Sequence, residues 1–133
     1  MNKTYTERCS VELERDLHTS EIRSEIWRDE DGRIHRGHDL PAIIKYAEHP
    51  AKPVHVEFRF RGLLERKQGP AIQVIDPGTG VVVREEWYRH AERHRQDGPA
   101  IIVRDRLSGD VVHSEMHRSN NPLFRPIDQL TPR

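Results

Sequence analysis

The chain lacks the features that mark several classes of protein. Cys9 is the single cysteine among 133 residues, so no intramolecular disulfide can form, and this usage is typical of a reducing compartment. No apolar run approaches the roughly 20 residues that span a membrane, and the segment MNKTYTERCS lacks the apolar core of a signal peptide. We therefore expect a cytoplasmic protein of one domain or a short array, with no membrane association.

An excess of charge of either sign is also absent. The 22 basic and 22 acidic residues give a formal net charge of zero, which removes the simple electrostatic argument for nonspecific nucleic-acid binding. Hydrophobic residues make up 34% of the chain and charged residues 33%. This balance predicts a large solvated surface and suits a thin, open sheet.

Familiar catalytic motifs are missing as well. The sequence contains no GxSxG, Walker loop, dinucleotide-binding GxGxxG, HExxH or paired CxxC motif. Cys9, with a distant histidine, would be a candidate nucleophile only if the N-terminus folded against the sheet. We predict a non-enzymatic protein with no cofactor.

The chain does contain a repeat of 29 residues. Prolines recur at Pro41, Pro70 and Pro99, within the segments HRGHDLPAII, ERKQGPAIQV and HRQDGPAIIV. Further positions with the same spacing are Val54, Val83 and Val112; Glu57, Glu86 and Glu115; and Phe58, Trp87 and Met116. Trp27 lies 31 residues before Phe58, so the first copy holds two added residues in the stretch EDGRIHRGHDL. Such a period indicates one structural unit copied in tandem.

The pattern inside the unit predicts β-hairpins. The segments VHVEFRF, VVVREEWY and VVHSEMH are rich in alternating β-branched or aromatic residues, which is typical of strands. The short apolar segment after each proline predicts a second strand. Asp, Pro and Gly in DPGTG and DRLSGD suit hairpin turns in which glycine supplies a positive φ. The predicted fold is an all-β antiparallel meander.

Each proline has a physical role at the start of its strand. Proline donates no amide hydrogen, so it is tolerated at the first strand position, and Gly69 and Gly98 allow a sharp turn before it. The glutamates of the repeat are predicted to form a solvent-side ladder paired with arginines on the intervening strands. The predicted structural core of the repeat, on the opposite face, comprises Trp27, Phe58, Trp87, Met116, Pro41, Pro70 and Pro99.

A column of arginines is predicted on the turn side of the repeat, at Arg36, Arg66 and Arg95. Arginines in a row could bind carboxylates or phosphates bidentately. The alternative, which we favour, is that each arginine bonds the nearby aspartate or a carbonyl of its own turn. With neighbouring residues, the candidate binding residues are Arg36, Arg66, Arg95, Arg89, Arg93, His38 and Asp39.

The nine histidines raise the question of a metal site. His113 and His117 would stand roughly 13 Å apart along a strand, too far to share one ion. Two pairs could converge at turns, His35 with His38 and His90 with His94. We predict no metal site, and expect the turn histidines to bond the aspartate and backbone of their own turns.

These motifs together resemble the MORN-like repeats of bacterial and phage proteins. The similarity rests on tandem HRxDGPA units, a following DxxSG turn and an ExW strand, and covers residues 25–120. It implies about 3.5 hairpin units in an elongated, twisted single-layer sheet. The class includes antitoxin-type and immunity-type proteins, mostly adaptors or inhibitors, and the resemblance supplies no catalytic residue.

The two ends of the chain do not follow the repeat. Residues 1–24 are predicted to be an N-terminal cap, built either from a helical turn or, as we favour, from two strands whose charges discourage edge association. Residues 121–133 are predicted to be a C-terminal tail, which either lies across the sheet or is disordered. Because the repeated residues serve the scaffold, a binding site is expected where the copies differ, around residues 31–39 and 46–53 and at the ends.

The sequence favours a protein-binding module that acts as an inhibitor of a partner protein, of the antitoxin, immunity or phage anti-defence type. A nucleic-acid or phosphate binder using the arginine column is the alternative, and an enzyme is the third choice. A homodimer is also expected, since a thin sheet with an uncovered apolar face gains by pairing with a copy of itself.

Overall fold

The structure is a computed structural model that describes residues 3–119 and 121–122. Within these residues the chain forms β-strands and no helix, so there is also no helix that could span a membrane. The strands are β1 Ser10–Arg15, β2 Ile22–Arg28, β3 Ile43–Ala47, β4 Lys52–Glu57, β5 Arg59–Phe60, β6 Leu63–Leu64, β7 Ile72–Ile75, β8 Val82–Glu86, β9 Tyr88–Arg89, β10 Glu92–Arg93, β11 Ile101–Arg104, β12 Val111–Glu115, β13 His117–Arg118 and β14 Asn121–Pro122.

Eight of these strands form one open antiparallel sheet in the order β1-β2-β3-β4-β7-β8-β11-β12. Each strand of this sheet pairs with the next strand of the sheet along the chain, either within one hairpin or between two successive hairpins. The predicted all-β meander of tandem hairpins is confirmed. β1 and β12 are the two edges of this sheet.

The predicted long strands are wrong in one respect, because each is divided in two. VHVEFRF was expected as one strand, but the chain leaves the main sheet at Phe58, and Arg59–Phe60 pairs with Leu63–Leu64 instead. The same break occurs at Trp87 and at Met116. A second row of two-stranded hairpins, β5-β6, β9-β10 and β13-β14, therefore lies beside the main sheet.

Backbone hydrogen bonds join the members of this second row. The Gly62 N–H donates to the Ile34 carbonyl at 2.8 Å, and the Ala91 N–H donates to the Leu64 carbonyl at 2.9 Å. Ile34 forms a single bridge with Arg28 in the first copy. The hairpin β5-β6 is thus bonded to that bridge and β9-β10 to β5-β6, which fixes the spacing of the turns that follow them. Those turns carry the arginine column.

The core is small and follows the repeat. Ala42, Ala71 and Ala100 are fully buried, and backbone bonds place each between the aromatic or methionine positions of the adjacent strands, as when Trp87 N–H donates to the Ala100 carbonyl at 2.7 Å. Among the residues predicted as core, Phe58 and Pro70 are buried, whereas Trp27, Trp87, Met116, Pro41 and Pro99 are half-buried.

The other face of the sheet is not simply a solvated charge ladder. Ile101 is paired with Glu86 on one side and Glu115 on the other, so these residues share a face, yet Ile101 is only 1% exposed. Apolar strand residues therefore alternate with the glutamates along this face.

The N-terminal strands belong to the same architecture as the repeat. β1 and β2 form a hairpin, as favoured from the sequence, and the predicted boundary after residue 24 lies inside β2. Their turn is the repeat's turn: the Asp16 carboxylate accepts bonds from His18 and Thr19 N–H, as Asp105 does from Leu107 and Ser108. At the other end, Asn121–Pro122 forms β14, and the remainder of the predicted tail lies outside the described residues.

Candidate functional site

The arginine column lies over the aromatic column of the repeat. The Cζ atom lies 3.9 Å from the ring centre for Arg36 over Trp27, 3.8 Å for Arg66 over Phe58 and 3.8 Å for Arg95 over Trp87. A guanidinium this close to a ring face is held by a cation–π interaction as well as by packing. The three arginines are therefore fixed in position before any partner binds.

Each arginine also bonds its own turn. Its Nη1 donates to the carbonyl of the proline that follows, at 3.4 Å for Pro41, 3.2 Å for Pro70 and 3.1 Å for Pro99. Arg95 Nε additionally donates to Asp97 at 3.2 Å. These contacts match the interpretation that the arginines stabilise their own turns, and they hold each cation in a fixed position.

The glycine before the proline serves the arginine more than the turn. A Cβ atom at Gly69 would lie 2.8 Å from the Arg66 Cζ, and one at Gly98 would lie 2.9 Å from the Arg95 Cζ. Gly69 has a positive φ of 139°, whereas Gly98 does not adopt the left-handed region. The requirement that the two copies share is space for the guanidinium.

The first copy differs because its turn is longer by one residue. His38 and Asp39 both have positive φ, 61° and 54°, and this conformation brings the Asp39 carboxylate to Arg66 of the next unit. Arg66 donates from Nε at 2.8 Å and from Nη2 at 3.2 Å, a bidentate ion pair. His38 lies 3.4 Å from Glu7. The expanded turn thus links two units and the N-terminal segment.

Two adjacent grooves lie between successive arginine turns. Groove 1 has a volume of about 430 Å³ and lies between the turns of Arg36 and Arg66; groove 2, of about 530 Å³, lies between the turns of Arg66 and Arg95. Arg66, Lys67 and Gln68 line both, so the two form one surface, which we call the arginine grooves. Their basic residues are Arg36, Arg59, Arg66, Lys67, Arg89 and Arg95, and their acidic residues are Asp39, Glu65 and Asp97.

The arginine grooves are therefore locally basic on a chain of zero net charge. Phe58 and Phe60 line groove 1 and Trp87 lines groove 2, so the basic groups are interleaved with aromatic surface. Six of the seven predicted binding residues line one groove or both. The exception is Arg93, whose Nε donates a hydrogen bond to the Tyr88 hydroxyl at 3.4 Å.

Groove 2 contains two buried donors that differ from their counterparts. Trp27 Nε1 donates to Glu25 at 3.1 Å, but Trp87 Nε1 and Arg89 Nε have no hydrogen-bond partner among the described residues. The glutamate two residues before Trp87 is Glu85, which binds Arg104 and accepts no bond from the indole. Buried donors without acceptors cost free energy. Both atoms are buried away from the surface of the groove, so this cost falls on the folded chain itself.

The glutamate ladder pairs differently from the prediction. Arginines on the intervening strands were expected, but each glutamate bonds residues two positions away on its own chain segment. Glu57 accepts from His55 and Arg59, Glu86 from Arg84 and Tyr88, and Glu115 from His113 and His117. The positions opposite these glutamates on the intervening strands are occupied by Ile43, Ile72 and Ile101. Because no arginine stands there, the carboxylates bond the polar residues two positions away.

These contacts shift the ionisation of the carboxyls. The hydrogen bond from His113, followed by that from His117, lowers the pKa of Glu115 to about 2. The hydrogen bonds from His55 and Arg59 hold the pKa of Glu57 below its usual value in spite of burial. On the groove side of the sheet, burial and the bond to Glu25 raise the pKa of Tyr46 to about 12.

The turn histidines also behave differently from the prediction. His35 and His94 do not bond their own turns: His35 Nδ1 accepts from the Arg61 N–H at 2.9 Å, and His94 Nδ1 accepts from the Ser119 N–H at 3.2 Å, each in the following hairpin. Glu65 takes the equivalent place in the middle copy, accepting from the His90 N–H at 3.3 Å. Within the part of the chain that the structure describes, no group of three His, Cys, Asp or Glu side chains is arranged to hold a metal ion.

Several residues of the grooves were not predicted from the sequence. Lys67 and Gln68 lie where the HRxDGPA pattern is weakest, and Arg59 and Phe60 belong to β5, which was expected to continue the main sheet. The pair Arg61-Gly62 forms the turn after the break, but Arg-Gly is not one of the pairs typical of two-residue hairpins, so it did not indicate the change of partner. Comparison with known proteins gives no further guide, because no family model, curated protein or solved structure matches this chain.

Proposed function

We propose that this chain is a non-enzymatic protein-binding module that docks an acidic surface of a partner protein on the arginine grooves. The observation that carries the proposal is the row of arginines held 3.8–3.9 Å above aromatic rings along two adjoining open grooves. Arginine and aromatic residues are enriched in protein interfaces. Because the side chains are already ordered, little conformational entropy is lost when a carboxylate binds.

We propose further that binding inhibits the partner, as in the antitoxin, immunity or phage anti-defence proteins that the repeats resemble. A grooved surface that presents several fixed cations can cover an acidic site on another protein and exclude its substrate. The proposed setting is the cytoplasm.

The first experiment captures the partner with tagged protein from the host of origin and then measures the purified pair. Lys67→Glu reverses a charge on an exposed residue shared by both grooves, and Lys45→Glu reverses an equally exposed charge in β3 that lines neither groove. We expect Lys67→Glu to weaken the complex at least tenfold and Lys45→Glu to leave it within about twofold. Recovery of nucleic acid alone, or of nothing but the protein itself, contradicts the proposal.

Inhibition is tested on the purified partner. Its activity should fall in proportion to the bound chain, and Lys67→Glu should shift the inhibition curve by the same factor as the binding constant. If the partner binds tightly and keeps full activity, this chain is an adaptor and not an inhibitor.

Phosphate binding is the second candidate, and the excess of basic over acidic residues in the arginine grooves favours it. Nucleic-acid affinity would fall steeply with salt, because each neutralised phosphate releases counterions, while bases would stack on Phe60, which is 44% exposed. Titration of single-stranded DNA and RNA at two salt concentrations separates the two functions. A complex with protein that persists at the higher salt supports the protein-binding proposal.

A further inference from the structure

β12 is placed where the repeat always has one more strand. Its equivalents in the earlier units, β2, β4 and β8, each pair on their outer side with the first strand of the next unit, β3, β7 and β11. Among the described strands, none pairs with the outer side of β12.

The three internal neighbours show which chemistry fits this edge. Each begins with isoleucine directly after a Pro-Ala pair. The carbonyl of that alanine accepts a bond from the preceding unit: from Trp27 at 2.8 Å, from Phe58 at 2.7 Å and from Trp87 at 2.7 Å. The equivalent donor in the last unit is the Met116 N–H. In the two later units the isoleucine then lies opposite a glutamate, Ile72 opposite Glu57 and Ile101 opposite Glu86, whereas Ile43 lies opposite Ile26. The equivalent of those glutamates in the last unit is Glu115.

The two edges of the sheet are protected differently. β1 is exposed along its length, and its apolar residues Val11 and Leu13, each 41% exposed, alternate with Glu12 and Glu14, charges of the kind that prevent strand addition. β12 instead exposes Val111 and Val112, at 56% and 64%, and a groove of about 310 Å³ runs along Val111–Ser114. Apolar side chains at an unpaired edge favour pairing with another strand.

We infer that β12 is a strand-addition site for an extended segment of a partner protein with the chemistry of Pro-Ala-Ile-Ile. A small residue would lie beside Met116, as Ala100 lies beside Trp87, and a β-branched residue would lie beside Glu115. The inference deepens the proposed protein-binding function, but it uses backbone groups and apolar contacts at an edge that contains none of the arginine grooves.

The test uses a fluorescent peptide that copies residues 98–104, GPAIIVR, added to the full chain. Saturable one-to-one binding is expected, with slowed hydrogen exchange at the Ser114 and Met116 amides. These amides face outward, because facing alternates along a strand and the equivalent Trp87 N–H donates to the next unit. Exchange at the β1 amides should not change.

Two N-methylated peptides give a matched control. In the intact chain the backbone N–H of Ile102 points towards β8, whereas the backbone N–H of Ile101 points towards β12 of its own hairpin. In the peptide, a methyl group on the nitrogen at the Ile102 position removes a bond to β12 and should weaken binding at least tenfold. The same methyl group at the Ile101 position, which faces away, should change binding by less than about threefold.

Three outcomes overturn the inference: no saturable binding, equal effects of the two methyl groups, or protection that appears on β1. Protection of β12 in the free chain together with a concentration-dependent dimer in sedimentation also overturns it, because a second copy would then be the occupant. Peptide binding should be unchanged in Lys67→Glu. If the peptide fails while Lys67→Glu still releases the captured partner, the strand-addition site is wrong and the proposed function stands.

Discussion

The glycines that precede Pro70 and Pro99 are required by the arginines beside them. In Gly98→Ala the new Cβ would lie 2.9 Å from the Arg95 Cζ, so the guanidinium must leave its place over Trp87. We expect a loss of about 1–2 kcal/mol in unfolding free energy, measured by denaturant titration. The Trp87 indole resonance should also move.

Gly109→Ala is the matched control for this change. Gly109 has a φ of 79° and no atom within 4 Å of an added Cβ, so its cost of about 1 kcal/mol is purely conformational. The Trp87 resonance should stay in place. If it moves as much in Gly109→Ala as in Gly98→Ala, the close approach of Arg95 is not the reason for the glycine.

The two histidines around Glu115 make the stability of the last unit depend on acid. In the folded chain the pKa of Glu115 is about 2, below the ordinary glutamate pKa of about 4.3. Ionised Glu115 therefore stabilises the fold at any pH above about 4.3, and this stabilisation is lost as the pH falls from there towards 2. His113→Ala removes the strongest contact and should raise the pKa of Glu115, as measured by carbon-13 NMR titration of its carboxyl. Val112→Ala, an exposed neighbour, should leave the titration unchanged.

The short hairpins of the second row depend on tight turns in which both central residues have positive φ. Arg61-Gly62 has φ values of 49° and 86°, and His90-Ala91 has 52° and 66°, the signs of a type I′ turn. Alanine is strained there and glycine is not. Ala91→Gly should therefore raise the unfolding free energy by roughly 1 kcal/mol, and Gly62→Ala should lower it by a similar amount. Thermal unfolding of the pair checks the sign, and destabilisation by Ala91→Gly contradicts the argument.

At this scale the sequence predicts the main sheet better than the second row. The prolines, the Asp-led turns and the period-2 strands determine the meander. The break at Phe58 could not be seen, because VHVEFRF alternates through it and no residue marks the change of partner. The next turn, at His90-Ala91, could not be recognised from the sequence, since neither residue is typical of positive φ. The N-terminal hairpin contains a similar Asp-led turn, Asp16-x-x-Thr-Ser. Its likeness to the turns at Asp76 and Asp105 is weak in the sequence, because no proline precedes its first strand as Pro70 and Pro99 do in those copies.

The candidate site was predictable only in part, for a similar reason. The arginines and the expanded turn with His38 and Asp39 could be located from the register of the copies. The stacking of the three arginines on Trp27, Phe58 and Trp87 depends on the second row of hairpins, which places the arginine turns over the aromatic residues. Lys67 and Gln68 enter both grooves only because the units are stacked, and no local pattern records that.

For the whole molecule, a repeat whose units contact only their neighbours should tolerate the loss of one unit if the register is kept. Deletion of residues 57–85, 29 in number, joins Val56 to Glu86, and Glu86 takes the place of Glu57 against its neighbours. β4 should then pair with β11, and Asp39 should bind Arg95 in place of Arg66. We expect a cooperative unfolding transition at a lower temperature than in the intact chain, followed by circular dichroism.

Deletion of residues 57–84 is the control that differs by one residue. It joins Val56 to Glu85, so every side chain after the junction moves to the opposite face of the strand, and Trp87 leaves the row of aromatic residues beside the buried alanines. This variant should lose cooperative unfolding and its protected amides. If both deletions fold equally well, the 29-residue register does not define the sheet; if neither folds, the units are coupled beyond their nearest neighbours.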